Sequence, residues 1–287
     1  KLKKKKNNII MKISASEVNN LRKSTGAGMM DCKNALVEAN GDLDKAIEIL
    51  RKKGQKVAAK RADRDSHQGA AIAITNKEKT IGAAIVLACE TDFVGKNADF
   101  VNLANELANI ALSCDSKEEL LKASIDNMSV EEKLLEQTGV IGEKIQINKF
   151  VKINAPYVGS YIHAGNKIAT VVGLSKTNDD LLDDMINVSK DIAMQVAAMN
   201  PIALNEEGVD SNVIEKEIEI AKDQLRAEGK PEAMLDNIAK GKLKRFFKDN
   251  TLINQAFIKD TKISVSDYLS SFDKELTVAC FDRVSIG

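Results

Sequence analysis

The chain has 287 residues, of which 44% are hydrophobic and 29% are charged, a composition typical of a folded protein with several modules and unlike that of a disordered or membrane-spanning chain. Lysine plus arginine and aspartate plus glutamate number 42 each, so the formal net charge is +0 and no overall positive field attracts nucleic acid. Aromatic residues make up 4% of the chain, which leaves few rings on which single-stranded bases could stack.

The cysteines and histidines are too widely spaced for a metal site or a disulfide pattern. The cysteines are Cys32, Cys89, Cys114 and Cys280. They form no Cys-x-x-Cys pair, so we expect free thiols in a reducing compartment. His67 and His163 have no second type of ligand at zinc-binding spacing. We therefore expect no metal and no other cofactor.

The chain begins with the segment KLKKKKNNII. This segment lacks the long apolar core of a secretory signal, and Met11 is a natural start for the folded part. We expect residues 1–11 to form a disordered tail.

Three short helices are predicted for residues 12–54. Ser14 and Glu17 have the spacing of a capping box, in which each side chain binds a free amide at the start of a helix. Glycine-containing loops separate this helix from the next two, and Asp42 is placed to cap the third. We expect the third helix to end at Gly54, which gives a compact three-helix domain.

A linker and the first half of a mixed core follow. Residues 55–66 are charged and alanine-rich with no sustained apolar face, which is typical of a linker, and part of it could be helical. Residues 71–75 alternate in character and residues 81–89 are continuously apolar, so they predict a hairpin with a buried strand. Helical patterns follow, one of them opened by a capping box at Ser129. We assign residues 67–150 to an N-terminal core subdomain.

The same order of elements is repeated in the second half of the core. Residues 157–163 and 167–174 predict a strand pair, and an apolar helix follows it. The segment after residue 246 predicts a helix and a last strand. We assign residues 151–200 and 246–287 to a C-terminal core subdomain, and the predicted fold class is α+β with small antiparallel sheets.

Residues 201–245 differ from the core because their apolar positions form a narrow stripe on highly charged helices. Gly229-Lys-Pro231 interrupts this pattern and turns the chain, with Pro231 at the first position of a returning helix. The pattern predicts an antiparallel coiled-coil hairpin that projects from the core.

The sequence contains no pattern typical of an enzyme active site. The segment from Gly159 to Lys167 lacks the spacing and the Gly-Lys-Ser/Thr ending of a phosphate-binding loop, and neither histidine lies near a nucleophile elbow.

Met29 and Met30 point to protein binding instead of catalysis. A helix cannot bury two adjacent residues on one face, so at least one should be exposed, as in an adaptable protein-binding patch, although both could also fill gaps in a small core.

Two motifs carry a resemblance to a known family. The segment LRKSTGAGMMDCK, at residues 21–33, and Thr-Asp-Phe-Val, at residues 91–94, resemble the elongation factor Ts family. The similarity covers residues 12–287 and continues through 159–163 and 229–231. It implies a ubiquitin-associated-like N-terminal domain, a two-part core and a coiled-coil hairpin. Many members also carry a helical module beyond the core, whereas this sequence ends directly after the last predicted strand.

The resemblance implies that the protein is not an enzyme but binds elongation factor Tu, promotes release of GDP and lets GTP rebind. Matched position by position, it implies partner contacts at Leu21, Met29, Met30, Thr91, Asp92, Phe93, Val94, Ile141, Gly142 and His163. The turn formed by Asp92 and Phe93 would insert near the magnesium and nucleotide site, and His163 would touch a different domain of the partner. Without the resemblance, the simpler interpretation is a capped helix with Phe93 packed inward.

The resemblance leaves assembly and compartment open. A homodimer and a heterotetramer with the partner are both compatible with it, no nucleic acid or membrane is required, and the protein would act in the bacterial cytoplasm or in an organelle matrix. An adaptor for ubiquitin or nascent chains is one alternative, but it leaves the core unexplained. An RNA or ribosome binder would use the N-terminal lysines and Lys240–Lys248, which a solvated charged face explains equally well.

Overall fold

The computed structural model describes residues 13–176 and 182–287. The predicted disordered tail over residues 1–11 lies outside the described residues. The mixed α+β class is confirmed, because helices pack on small antiparallel sheets.

The N-terminal part is a bundle of three helices. They are α1 (Ala15–Thr25), α2 (Met29–Glu38) and α3 (Leu43–Lys60). The capping box between Ser14 and Glu17 is present, and the Asp42 side chain accepts the amide of Lys45 at the start of α3. Leu21, together with other fully buried side chains of the three helices, forms the interior of the bundle.

The first half of the core is a three-stranded antiparallel sheet with helices on one face. Its strands, in spatial order, are β1 (Gln68–Thr75), β2 (Ile81–Cys89) and β5 (Gln146–Asn154). Between β2 and β5 lie α4 (Asp92–Gly95), α5 (Ala98–Ala111), α6 (Lys117–Lys122), β3 (Ser124–Ile125), β4 (Met128–Ser129) and α7 (Val130–Ile141). Ile85 and Leu87 of β2 pack against Phe100 and Leu107 of α5.

The second half of the core has the same plan. Its sheet contains β6 (Tyr157–Ile162), β7 (Ile168–Leu174) and β10 (Val278–Ser285), with β7 in the centre. The other elements are α8 (Leu182–Met199), β8 (Ala256–Phe257), β9 (Asp260–Ser264) and α11 (Val265–Ser270). Ala84 and Val86 of β2 pack against Val158 and Val171 of this sheet, so the two sheets meet face to face. The continuous apolar run of β2 is explained because both of its faces are buried.

A helical hairpin leaves the second half of the core. Its helices are α9 (Ser211–Ala227) and α10 (Glu232–Asn250). Leu225 and Leu235 are buried, and Phe247 packs on Ala203 at the base of the hairpin. Pro231 is the N-cap of α10, one position before the predicted one. The 3₁₀ turns Glu206–Gly208 and Leu252–Asn254 flank the hairpin.

The predicted end of α3 at Gly54 is wrong. The helix continues to Lys60, through the first part of the predicted linker. Gly54 is buried where α3 crosses α7, and Gly139 of α7 lies opposite it. Glycine at this position therefore permits a close helix crossing instead of ending the helix, a role that only the tertiary structure reveals.

Candidate functional site

Phe93 lies on the exposed side of a short turn at the end of β2. Its side chain is 84% exposed, the largest value among the large hydrophobic residues that the structure describes. The neighbouring Val94 packs inward against the first core half. The interpretation with Phe93 packed inward is therefore wrong, and the turn presents a phenyl ring to solvent at the start of α4.

A carboxylate from a distant loop holds this turn in place. One oxygen of Glu143 accepts the backbone amides of Glu90 and Thr91 at 3.1 and 3.0 Å, and the other accepts the Thr91 hydroxyl at 2.6 Å. The Thr91 side chain is thus bound to Glu143 and does not cap α4. Three hydrogen bonds to one charged acceptor restrict the backbone from which Phe93 projects.

The side chain of Glu90 ties the same turn to the end of α3. Arg61 Nη1 donates to both of its carboxylate oxygens at 2.8 Å, and the amide of Lys144 donates at 2.7 Å. Burial raises the pKa of Glu90, but the hydrogen bonds from Lys144 and Arg61 outweigh burial and hold the pKa below its usual range. The Lys144 ammonium also binds the carbonyls of Ala62 and Arg64.

The backbone of β1 packs closely against the end of α4, directly after the turn. Gly95, the last residue of α4, is buried, and a Cβ at this position would lie 3.0 Å from the backbone nitrogen and oxygen of Gly69 in β1. On the solvent side, Asp92 binds Lys96 at 2.6 Å. That hydrogen bond with Lys96 lowers the pKa of Asp92, so Asp92 is a carboxylate near neutral pH.

A cleft of about 720 Å³ joins the turn to the N-terminal bundle. Phe93 and Val94 line one side of it, Ile141 of α7 lines another, and Gly26 of the bundle completes it. Gly142 ends α7 in the left-handed conformation directly beyond Ile141. Three of the residues predicted to contact a partner, Phe93, Val94 and Ile141, therefore line one opening. Its charged lining residues are Asp99, Glu106, Asp126 and Lys133.

Met29 and Met30 are both exposed, each to 63%. They begin α2 immediately after Gly28, whereas the buried face of α2 is formed by Cys32 and Leu36. The prediction that at least one methionine is exposed is confirmed. Leu21 is fully buried, so it can affect a partner only by supporting the bundle.

His163 is exposed at the tip of the hairpin between β6 and β7, in the second core half. Its Nδ1 lies 3.1 Å from the hydroxyl of Tyr161. It does not line the cleft, so it lies apart from the predicted contact residues Phe93 and Ile141.

The described ranges, 13–176 and 182–287, contain no group of three or more histidine, cysteine, aspartate or glutamate side chains that could hold a metal ion. A membrane-spanning helix needs about 20 mostly apolar residues, and none of the helices described over these ranges meets that requirement. The cysteines are unpaired thiols. Cys89 lies beneath the turn, where burial raises the pKa of its thiol to about 12, and it donates to the carbonyl of Thr91 at 3.1 Å.

The supporting residues Glu90, Glu143 and Arg61 were not identified from the sequence. Glu143 binds Thr91 across 52 positions of the chain, and isolated charged residues in loops are common. The only indication of Glu143 in the sequence was its position directly after Gly142, where the family resemblance implies a partner contact.

Comparison with known proteins gives a consistent result. A family model described as elongation factor TS matches residues 90–287, a range that begins at the turn. The chain is 65% identical over 276 residues to elongation factor Ts of Christiangramia forsetii, with 96% of this chain and 99% of the relative covered. It is 59% identical over 275 residues to elongation factor Ts of Flavobacterium psychrophilum, with the same coverage. Elongation factor Ts of Porphyromonas gingivalis is 43% identical over 281 residues, again with 96% and 99% covered.

Proposed function

The chain belongs to the elongation factor Ts family, and we propose that it is a translation elongation factor that binds elongation factor Tu and promotes release of its GDP. GTP then binds the emptied site. The relatives are bacterial, so we place this activity in the bacterial cytoplasm.

The observation that carries this proposal is the exposed ring of Phe93 on a firmly held turn. Burying a phenylalanine side chain is worth about 1.5–3 kcal/mol, and each 1.4 kcal/mol changes an affinity about tenfold. We propose that Asp92 and Phe93 insert near the magnesium and nucleotide site of the partner. If the ring fits only when the partner's contacts to GDP are broken, this protein and GDP each weaken the binding of the other to the partner. The factor is the same in both directions.

The remaining contacts are proposed to form two separate regions. Met29 and Met30, together with the cleft at Ile141 and Gly142, would hold the nucleotide-binding domain of the partner. His163 would touch another domain. Two separated contacts allow binding energy from one domain to support a distortion in the other, and no bond is made or broken, so the protein acts through binding alone.

We also propose the modular division that the sequence predicts. The bundle over residues 12–54 is proposed as a ubiquitin-associated-like domain, and the hairpin over residues 201–245 as a coiled coil. The linker is residues 55–66, and the core subdomains are residues 67–150 and residues 151–200 with 246–287. The face-to-face packing of the two sheets supports treating the core as one body with two similar halves.

Release of a fluorescent GDP analogue from elongation factor Tu tests the proposed function. The complex is mixed with excess unlabelled GDP, with and without this protein, and the fluorescence decay is followed by stopped flow. We expect the release rate to rise with the concentration of this protein and then to saturate. An unchanged release rate at all concentrations would exclude the proposed function.

A further inference from the structure

The N-terminal bundle is joined to the core by an unusually close crossing of two helices. α3 and α7 meet at Gly54 and Gly139, and a Cβ added to Gly139 would lie 2.5 Å from the Cα of Gly54. A Cβ added to Gly54 would lie 3.2 Å from the carbonyl oxygen of Leu135. A side chain on Gly139 therefore requires the backbones to move apart, because backbone atoms cannot rotate away as a flexible side chain can.

The seam around this crossing is closely packed. Val140, next to Gly139, packs against the interior of the bundle. The void at the seam, bordered by Ile47, Leu50 and Gly139, is about 20 Å³, room for about one water molecule. The bundle is thus fixed to α7 by direct packing in addition to the covalent connection.

Both crossing helices end at groups that hold the Phe93 turn. Arg61 directly follows α3 and binds Glu90, while Glu143 follows the cap of α7 and binds Thr91. The crossing of α3 and α7, together with the contact between Arg61 and Glu90, therefore fixes the bundle relative to the turn. This arrangement sets the separation between the exposed methionines of α2 and the exposed ring of α4.

We propose that Gly54 and Gly139 are positioning residues that lock the bundle, so that Met29, Met30 and Phe93 engage one partner molecule at the same time. This inference rests on the proposed function. Two contacts on a rigid support act together because the second forms without a new loss of rotational freedom. A bundle that is displaced or loosely attached would lose this advantage, while Glu143 of the core would still hold the turn.

Gly139→Ala tests the lock, with Gly241→Ala as the matched control. Gly241 is an exposed glycine within α10, where an added Cβ would meet no described atom within 4 Å. Both substitutions raise helix propensity, so only the clash at the crossing distinguishes them. Gly54→Ala, with its milder 3.2 Å contact, serves as a second variant if Gly139→Ala does not fold.

Amide hydrogen exchange of the free protein gives the first measurement. We expect amides of α3 to exchange at least fivefold faster in Gly139→Ala than in the wild type, while Gly241→Ala matches the wild type. Equal protection of α3 in all variants would overturn the lock. This measurement needs no partner, so its result stands apart from the proposed function.

A double-mutant cycle with elongation factor Tu gives the second measurement. In the wild type, the double substitution Met29→Ala and Met30→Ala should raise the concentration for half-maximal GDP release about tenfold. In the Gly139→Ala background the same double substitution should change it less than twofold, whereas Phe93→Ala should keep its full effect. A general loss of stability would not separate the two effects in this way.

Each outcome of the cycle decides the inference. If the methionine substitutions have the same effect in both backgrounds, the positioning role is wrong even though the protein is an exchange factor. If the wild-type protein does not stimulate GDP release, the proposed function fails and the positioning role fails with it. The amide hydrogen-exchange data still decide whether the crossing locks the bundle.

Discussion

Phe93→Ala should weaken binding to nucleotide-free elongation factor Tu while leaving the protein folded. The side chain is 84% exposed, so its removal takes little from the core, and we expect a change in unfolding free energy below about 0.5 kcal/mol. Full burial of the ring against the partner would be worth about 1.5–3 kcal/mol. Its loss should therefore reduce affinity for the nucleotide-free partner about ten- to 150-fold.

The assay for this prediction combines GDP-release titrations with urea unfolding of the same preparations. Ile186→Ala is the control, because Ile186 is also an exposed large hydrophobic residue, at 49%, but lies on α8 in the other half of the core. We expect the Ile186→Ala variant to stimulate GDP release from elongation factor Tu as strongly as the wild type does. Wild-type stimulation by Phe93→Ala at every concentration would refute the role of the ring, and a large loss of stability would show that the ring supports its own domain.

Three further predictions concern the contacts that hold the turn and the exposed methionines of α2. Glu143→Ala should lower the unfolding free energy by about 1–3 kcal/mol, because Thr91 and the amide of Glu90 lose a charged acceptor. The variant should also stimulate GDP release from elongation factor Tu less than the wild type does. Unchanged urea unfolding would contradict the contact. The double substitution Met29→Ala and Met30→Ala should leave the thermal midpoint within about 2 °C of the wild type, because both side chains are exposed. It should nevertheless weaken binding to elongation factor Tu, measured by calorimetry. Unchanged binding would exclude a contact at these methionines. Because its hydrogen bonds lower the pKa of Glu90, its carboxylate stabilises the fold above the unfolded-state pKa of about 4.3, and that stabilisation is lost as the pH falls through the folded-state pKa. The difference in Tm between wild type and Glu90→Gln should accordingly shrink from pH 7 to pH 3, and a constant difference would contradict the assignment.

Local signals in the sequence were sufficient to place many elements. The capping boxes at Ser14 and Ser129 depend on residues three positions apart, and both are present in the structure. The apolar run from Ile81 to Cys89 is a buried strand, as predicted. These features are determined by neighbours in the chain, so the sequence contains the information directly.

Features that depend on distant contacts were not predictable in the same way. Gly54 resembled a helix end because glycine is common there, but its role is to let Gly139 approach, which lies 85 positions further along the chain. Glu143 carries no local pattern, and only the folded chain brings it to Thr91. The exposure of Phe93 could not be decided from the sequence alone, because a capped helix with an inward ring fits the same residues.

The affinity of this protein for elongation factor Tu in two states tests the central claim most directly. Calorimetry should compare the nucleotide-free partner with the same partner saturated with GDP and magnesium. We predict much tighter binding to the nucleotide-free form, and a smaller ratio between the two affinities for Phe93→Ala. Equal affinity for both forms would contradict the account, because a ligand that does not distinguish the two states cannot shift nucleotide release.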